Sequence, residues 1–481
     1  MRRRHIPTTL ALVILTAWPA ASDGKPRHSK RQSTARAPPS AKVSARPVVR
    51  AATPHALLRG PVTPLAGLVA EAIGRHPNLQ HRRQLRAASA EVASRVGSLP
   101  DPILAASPSN FRTDVPSLSS SPMTGVVVGL SQKIPLPGKL RRRAAVARAA
   151  EQVALQEVLV RRAAIALQVR ERYWSLHLAE RTLAIIDLHV RIVDQLVGVV
   201  TARFGTGNSN QQDVLQAQVA HSRARAWLTE AEQGVITARR QLNSAAGRAP
   251  AASLGLTAAP PAPTAVVTGS AKTSVAERLL LKNNPRLGAA GARKLLAERA
   301  LDEARYDRWP DLGVGLSYRF RGATPGDASD GADMVSGLVH VSLPVFLAQK
   351  QAARVRERGH QLAAAKAHVA DTQLRVTTAL RSLRDQLARL NRELALVKKE
   401  LLPRADAALN ASIADYQFAK VGFVAVLQNW QTKLDVELWH ERLLVQRAIN
   451  LARTRALTER QRERKPRPAH APRASPQQES R

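Results

Sequence analysis

The residues best suited to chemistry are scattered along this sequence rather than grouped. The 481 residues include 13 His and 36 Asp or Glu but no Cys, which excludes disulfides, thiolate metal sites and a cysteine nucleophile. The histidines lack the spacing of metal ligands, and we expect His177 and His189 to be residues of a helix that face water. The motifs HExxH, GxSxG and GxxxxGKS/T are missing, and no GxGxxG opens a helix after a strand. The sequence therefore predicts a protein that is not an enzyme and binds no metal or cofactor.

The chain is strongly basic, which suggests a different kind of partner. Lys and Arg number 73 against 36 Asp and Glu, giving a formal net charge of +37. Such a charge favours nucleic acid or an anionic surface, so a basic coiled-coil scaffold or nucleic-acid-binding protein is one alternative. Aromatic residues make up only 3% of the chain, which argues against the ring-rich interior of a conventional β-sandwich.

The first residues have the form of an export signal. Arg2, Arg3 and Arg4 precede a short apolar run over 10–15, and small residues at 20–22 offer a cleavage site. No other stretch approaches ~20 uninterrupted apolar residues. In an exported chain an anionic surface is a better partner than nucleic acid, so we expect no nucleic acid to bind.

Composition divides the remaining chain into two large segments with polar, proline-containing segments around them. The stretch after the signal is rich in Pro, Ser, Ala, Arg and Lys without an apolar period, which predicts disorder. We assign a signal peptide to 1–22, a disordered basic arm to 23–63, a first repeat to 64–248, a Pro/Ala-rich linker to 249–268, a second repeat to 269–456 and a disordered basic tail to 457–481.

The two large segments are related by an internal duplication. Four landmarks recur in the same order at an offset of a little over two hundred residues. They are His76-Pro77 with Asn284-Pro285, Leu99-Pro100-Asp101 with Trp309-Pro310-Asp311, Ile134-Pro135 with Leu343-Pro344, and Phe204 to Gly207 with Tyr416 to Ala419. Each half reads as helix, strand, strand, long helix, tip and helix, so we predict a mainly α fold with a small β component.

Apolar residues repeat every seven positions through the long helices. In the first half such a helix is expected from about Lys139 to Phe204, with a seam that alternates spacings of three and four. In the second half the sevenfold series is Val355, Leu362, Val369, Val376, Leu383, Leu390 and Val397. A helix of about sixty residues is a rod of roughly 90 Å that must lie against other rods. Pro403 falls inside the second rod and predicts a kink there.

Three segments alternate apolar residues with small or polar ones, as strands with one apolar face do. They are Val126–Ile134, Leu312–Phe320 and Met334–Leu343, and a weaker fourth lies around Ile103–Arg112, interrupted by Pro108. This alternation fits lipid-facing barrel strands and fits equally a soluble sheet packed on a helix. Four strands cannot close a barrel, and lipid does not tolerate an open sheet edge. A membrane barrel would therefore need strands from two, three or four copies of the chain.

Taken together, these features resemble the outer membrane efflux protein family, the TolC-type exit ducts, over about residues 64–456. The most specific marks are Ser131–Lys139, where strand passes into helix, and the tip pattern from Phe204 through Leu215. The first of these and Gln428–Gln431 also resemble the branch that exports heavy-metal cations.

The resemblance implies a homotrimer with a 12-stranded β-barrel in the outer membrane, continued by a periplasmic α-helical barrel. It implies outer-membrane lipid around the barrel, and as partners a periplasmic adaptor (membrane fusion) protein and an inner-membrane pump. For the metal branch that pump is of the resistance-nodulation-division type. The chain would be a passive duct, with a multidrug or type I secretion exit duct as the alternative to metal-cation efflux.

Two groups of residues receive roles from the resemblance. The tips, expected over Arg203–Gln212 and Ala419–Val426, would carry the adaptor contacts and the gated entrance. The residues assigned to them are Arg203, Phe204, Gly205, Thr206, Gly207, Asp213, Tyr416, Ala419 and Phe423. The residues assigned to the strand–helix junction are Pro135, Pro137, Gly138 and Pro344.

The tips depart from the family pattern in two ways. Ala419 stands where the family usually has Gly, so the second turn is expected to differ from the first. Acidic residues that ring the entrance in some members would fall at Ala425 and Gln428, which leaves Asp213 as the only acidic candidate. Asp213 fits equally a carboxylate at a helix N-terminus, where the helix dipole favours negative charge.

Overall fold

The computed structural model describes residues 55–114, 116–261, 283–326, 328 and 331–458. The predicted signal peptide, most of the predicted basic arm, the end of the predicted linker and nearly all of the predicted tail lie outside these residues.

Long helices dominate the fold, as the heptad pattern predicts. The helices are α1 (Leu65–Arg75), α2 (Pro77–Gly97), α3 (Lys139–Gly205), α4 (Gln211–Ala245), α5 (Pro285–Tyr306), α6 (Ala352–Leu396), α7 (Leu402–Gln417) and α8 (Phe423–Thr458). The longest, α3, has 67 residues and therefore spans about 100 Å. Among the described residues, no helix is both long and apolar enough to cross a membrane.

The second rod changes its helical geometry just before Pro403, where the sequence predicts a kink. A π-helical turn, Val397–Leu401, separates α6 from α7, and Pro403 lies in the first turn of α7. Proline has no N–H to donate and its ring clashes with the preceding turn. A π-helical turn just before it absorbs the mismatch without ending the rod.

Heptad residues of the rods form the core. Leu380, Leu383, Leu387 and Leu390 are buried along α6, where the sevenfold series predicts a seam. The helix α3 packs against α2, α4, α5 and α8, while α6 packs against α5 and α8. The helices that adjoin the four long strands therefore follow the order α2, α3, α5, α6.

A four-stranded antiparallel sheet joins the two halves at one end of the helices. Its strands are β2 (Ile103–Ser109), β3 (Gly125–Ile134), β5 (Asp311–Phe320) and β6 (Met334–Ser342), in the order β2-β3-β5-β6. The weak fourth strand is thus β2, and it is an edge strand. Pro108 is accommodated there because an edge strand can leave one side of its backbone unpaired.

The sheet register confirms the predicted alternation. Leu104, Leu130 and Leu316 are neighbours across three strands, and Val128, Tyr318 and Val335 form the next row on the same face. Leu316 and Val335 are 62% and 66% exposed, although large apolar side chains normally avoid water. The opposite face carries mostly small or polar residues, including Gly129 and Ser317, which pair with each other, although Ile103 and Leu338 also lie on it. One face of the sheet is therefore apolar and uncovered within this chain.

Residues 55–63 do not follow the prediction of a disordered arm. Ala56–Leu58 forms a 3-10 helix, and β1 (Val62–Thr63) pairs in parallel with β4 (Leu256–Thr257), which lies within the predicted linker. Leu57 and Leu58 also pack on the main apolar cluster. The described parts of arm and linker are therefore tied to each other and to the core.

Candidate functional site: paired helix tips and the strand–helix junction

The first tip is a Schellman turn at the end of α3. The carbonyl of Phe204 accepts a hydrogen bond from Gly207 N at 3.0 Å, and that of Arg203 accepts one from Asn208 N at 2.9 Å. Gly207 has φ of +75°, the left-handed conformation that this turn requires. The side chain of Thr206 donates to the Arg203 carbonyl at 2.9 Å. Gly205 is the last helical residue before the turn.

The second tip has the same turn, so the expectation that it would differ is wrong. The carbonyl of Tyr416 accepts from Ala419 N at 3.1 Å, and that of Asp415 accepts from Lys420 N at 2.9 Å. Ala419 has φ of +59°, so an alanine occupies the left-handed position that glycine holds in the first tip. The hydrogen bonds of the Schellman turn fix this geometry even though Cβ disfavours it.

The two tips contact each other through Arg203. Its Nη1 donates to the backbone carbonyl of Tyr416, and its guanidinium carbon lies 4.7 Å from the centroid of the Tyr416 ring. Its Nη2 donates to the Asn208 carbonyl within the first tip at 2.8 Å. One cation thus binds the end of α3 to the end of α7.

Asp213 lies in the first turn of α4, which is the helix N-terminal role that the sequence left open. Its backbone N–H donates to Oδ1 of the N-cap residue Asn210 at 2.8 Å, at the start of α4. Its carboxylate accepts from Ser209 Oγ at 3.0 Å and from Tyr416 Oη at 3.3 Å. Burial raises the pKa of Tyr416, and the nearby Asp213 carboxylate raises it further, while Ser209 and Arg203 oppose the shift. The phenol therefore stays protonated and donates to the carboxylate.

Aromatic side chains at the tips divide into buried and exposed ones. Phe423 is 1% exposed and its ring lies 5.4 Å from that of Tyr416, so it supports the contact between tips. Phe204 and Phe418 are 46% and 75% exposed. Sequence reasoning missed Phe418, although a phenylalanine between α7 and the turn residue Ala419 was a visible signal.

His177 and His189 are buried, so the prediction that they face water is wrong. His189 is 1% exposed, and its Nε2 lies 3.1 Å from Glu437 Oε2. His177 is 6% exposed, and its Nδ1 lies 2.8 Å from Thr257 Oγ1. Both side chains therefore join separate elements. In the described part of the chain, no three His, Asp or Glu side chains are placed to hold a metal ion.

A buried ion pair organises the junction between sheet and helices. Gly138 has φ of +97° and is the N-cap of α3. Lys139 follows it and is 6% exposed, with its Nζ 2.7 Å from Asp311 Oδ1 and 2.5 Å from the Trp309 carbonyl. Lys133 Nζ lies 3.4 Å from the other Asp311 oxygen. Asp311 therefore binds two cations from the other half of the duplication.

The prolines of the junction end strands, and their neighbours fasten the helices. Pro135 is buried directly after β3, and Pro344 lies two residues after β6. The carbonyl of Pro137 accepts from Tyr306 Oη at 3.2 Å, which ties this loop to the end of α5. The sequence analysis assigned these prolines to the junction, but it did not predict the ion pair of Lys139 with Asp311.

The fold thus consists of duplicated helical rods that end in a sheet with one uncovered apolar face. The sequence model of the family described as "Outer membrane efflux protein" matches residues 68–248 and 278–458. The chain belongs to the outer membrane efflux protein family, which confirms the resemblance seen in the sequence. No curated protein is close enough in sequence to count as a match.

Solved channels have the same fold. The structure of CusC, described in work on its folding and transmembrane channel formation, superposes with a TM-score of 0.70 at 16% identity, covering 82% of this chain and 91% of that one. The outer membrane protein VceC of Vibrio cholerae gives 0.67 at 16% identity, over 82% and 96% of the two chains. The open-state MtrE outer membrane channel of Neisseria gonorrhoeae gives 0.64 at 16% identity, over 82% and 88%.

Family membership defines the general function. The protein is a TolC-type efflux channel of the outer membrane, with its helical part in the periplasm, and it is a passive channel rather than an enzyme. Channels of this family form trimers and work with an adaptor and an inner-membrane pump.

Proposed function

We propose that this channel is the exit duct of a system that exports heavy-metal cations. In this proposal a resistance-nodulation-division pump delivers the cations through the periplasmic adaptor. The observation that carries the proposal is the segment Ser131–Lys139, which resembles the metal-exporting branch of the family. Its Lys139 is buried in an ion pair with Asp311, so this residue fastens the junction between sheet and helices.

The trimeric barrel is supported by the edges of the sheet. The strands β2 and β6 are the two outer strands in the order β2-β3-β5-β6. Unpaired backbone groups of an edge strand cost several kcal/mol each in hydrocarbon, so lipid requires both edges to be paired. Pairing β2 of one copy with β6 of the next closes twelve strands from three copies, which also turns the apolar face outward to lipid.

The tips are proposed as the adaptor contacts and the gated entrance. The contacts of Arg203 and Asp213 with Tyr416 hold the first tip against the second. Exposed Phe204 and Phe418 offer apolar contact area beside them. An adaptor that binds the tips would separate these contacts, and the packed helices would move between discrete arrangements.

Deletion of the gene tests the cargo. We expect deletion to sensitise cells to salts of copper, zinc or cadmium, and a plasmid copy of the chain to restore growth. A negative control is a copy carrying Lys139→Met, whose lower yield of assembled trimer should restore growth more weakly. Unchanged growth on all three salts, with new sensitivity to dyes or antibiotics, would refute metal export and favour a multidrug duct.

A further inference from the structure

A groove lined mainly by arginines lies between α3 and α5, close to the sheet. It has a volume of about 650 Å³ and is lined by Arg141, Arg142, Arg299, Arg305 and Arg308 together with Trp309. Asp302 is the one carboxylate in its lining, and it lies 4.0 Å from Arg305. In the described part of the chain, Arg141, Arg299 and Arg308 form no ion pair with a carboxylate. The groove therefore has a large excess of positive charge.

Aromatic rings support part of this arginine cluster. The guanidinium carbon of Arg142 lies 3.7 Å from the centroid of the Tyr306 ring, and its Nη1 donates to the Gly138 carbonyl. Arg308 lies 5.5 Å from the centroid of the Trp309 ring, and that ring is 46% exposed. Stacking orders a guanidinium while leaving N–H groups of its fork available to a second partner.

The groove lies at the depth where lipid headgroups are expected. Trp309 is two residues before β5, and Arg141 is in the first turn of α3. From Arg299 to Tyr306 the helix α5 rises about 10 Å, similar to the roughly 5–8 Å of headgroup on each side of a bilayer. Tryptophan at the end of a membrane strand is typical of this interface.

The groove also lies in the middle of one copy rather than at its edges. The strands β3 and β5 are the two central strands of the sheet, and α3 and α5 pack against each other below them. In the proposed barrel, on which this step rests, copies pair at β2 and β6, on either side of the groove. A neighbouring copy is therefore not expected to fill this groove.

We propose that this groove binds the phosphate of an anionic phospholipid from the periplasmic leaflet of the outer membrane. Guanidinium groups bind phosphate oxygens through paired N–H donors, and basic pockets beside membrane segments bind anionic headgroups. The acyl chains would lie along the apolar face of the sheet above, where Leu312 and Val314 are exposed. The bound lipid would fix the height of the channel in the membrane, whatever its cargo.

The test uses the purified full-length trimer in detergent, titrated with phosphatidylglycerol or phosphatidylcholine and observed by native mass spectrometry. We expect the parent protein to bind phosphatidylglycerol more tightly, and the triple variant Arg141→Gln, Arg299→Gln, Arg308→Gln to bind it about tenfold more weakly. The control Arg392→Gln, Lys398→Gln, Lys399→Gln removes the same charge from exposed positions on α6 and its π-helical turn, and should bind like the parent.

A second variant keeps the test decisive if the glutamine variant does not assemble. Arg141→Lys, Arg299→Lys, Arg308→Lys retains the charge but loses the forked donors, and we expect binding between that of the parent and that of the glutamine variant. Equal binding of both lipids by the parent would overturn the proposal. So would a control variant that loses as much affinity for phosphatidylglycerol as the glutamine variant does. Inorganic phosphate that displaces the lipid at comparable concentration would identify a general anion site and overturn the lipid assignment.

Discussion

Gly207 and Ala419 occupy the same position in two identical turns, one at the end of α3 and one at the end of α7. Both residues have left-handed backbones, with φ of +75° and +59°. The duplication has therefore kept the turn while replacing the residue that suits it best. An alanine there is strained by roughly 1 kcal/mol, because its Cβ approaches the backbone.

This relationship predicts opposite effects for two exchanges. Ala419→Gly should stabilise the folded trimer by about 0.5–1 kcal/mol, whereas Gly207→Ala should destabilise it by about 1 kcal/mol. Thermal unfolding of the purified trimer measures both, with shifts of about 1–3 °C in opposite directions. Shifts of the same sign would show that the two turns are not equivalent in energy.

The buried pair of Lys139 and Asp311 predicts a larger loss. Lys139→Met leaves the more exposed Lys133, at 3.4 Å, as the one cation beside the Asp311 carboxylate, and should cost about 3–5 kcal/mol. The double variant Lys139→Met, Asp311→Leu removes both buried charges and should recover most of that loss. The measurement is the yield and thermal midpoint of assembled trimer. A double variant that is less stable than the single one would contradict this account.

The sequence predicted what depends on local periodicity and missed what depends on distant contacts. Leu383 and Leu390 lie in a buried seam because spacing by seven places them on one helix face. The pairing of Lys139 with Asp311 joins residues 172 positions apart, and no local pattern encodes it. The burial of His189 was missed for the same reason, since its partner Glu437 lies 248 positions away. The tip residues were assigned from the resemblance to the family, but the contact of Arg203 with Tyr416 required the fold.

His177 predicts a loss of stability on mild acidification. Burial lowers its pKa below 6.5, aided by Arg181 and opposed by Glu441, so the folded state favours the neutral ring. The unfolded chain then takes up a proton first as pH falls through 6.5, and stability decreases from there toward the lower pKa of the folded state. Unfolding midpoints compared at about pH 8 and about pH 5.5 measure this loss, and His177→Gln should reduce it.

Glu180 shares the partner Thr257 with His177, and its effect on stability at low pH has the opposite sign. Burial raises its pKa above 4.5, while hydrogen bonds from Thr257 and the charge of Arg239 oppose the shift. Protonation as pH falls toward 4.5 therefore stabilises the folded state and offsets part of the His177 effect. Glu180→Gln removes this gain and should make the loss on acidification steeper. The His177 account fails if His177→Gln leaves the pH dependence unchanged.

The edge strands predict where neighbouring copies meet. The chain has no cysteine, so disulfides introduced by design are the only ones that can form. The test pairs Ala106→Cys on β2 with a cysteine on the same face of β6, placed in turn at Val335, Val339 or Val341. Disulfides between copies should then link the chains into dimers and trimers, with no larger species. Leu130→Cys on the central strand β3, with the same β6 partners, is the control and should give none. Absence of intermolecular disulfides in every edge combination would exclude pairing of β2 with β6.

The contacts between the tips predict how the duct opens. Tyr416→Phe keeps the ring under Arg203 but removes the hydroxyl that lies 3.0 Å from Ser209 Oγ and 3.3 Å from Asp213 Oδ2. A hydrogen bond to a charged group contributes about 1.5–3 kcal/mol, so the open population should rise roughly 10- to 150-fold. Conductance of single trimers in planar bilayers measures this change.

Arg203→Ala removes both the backbone hydrogen bond and the stacking, so it should raise the open population further. The exposed Phe418, changed to Ala, is the matched control: it makes no such contact and should leave conductance unchanged while weakening adaptor binding. Equal conductance in the parent and Arg203→Ala would show that these contacts do not hold the entrance.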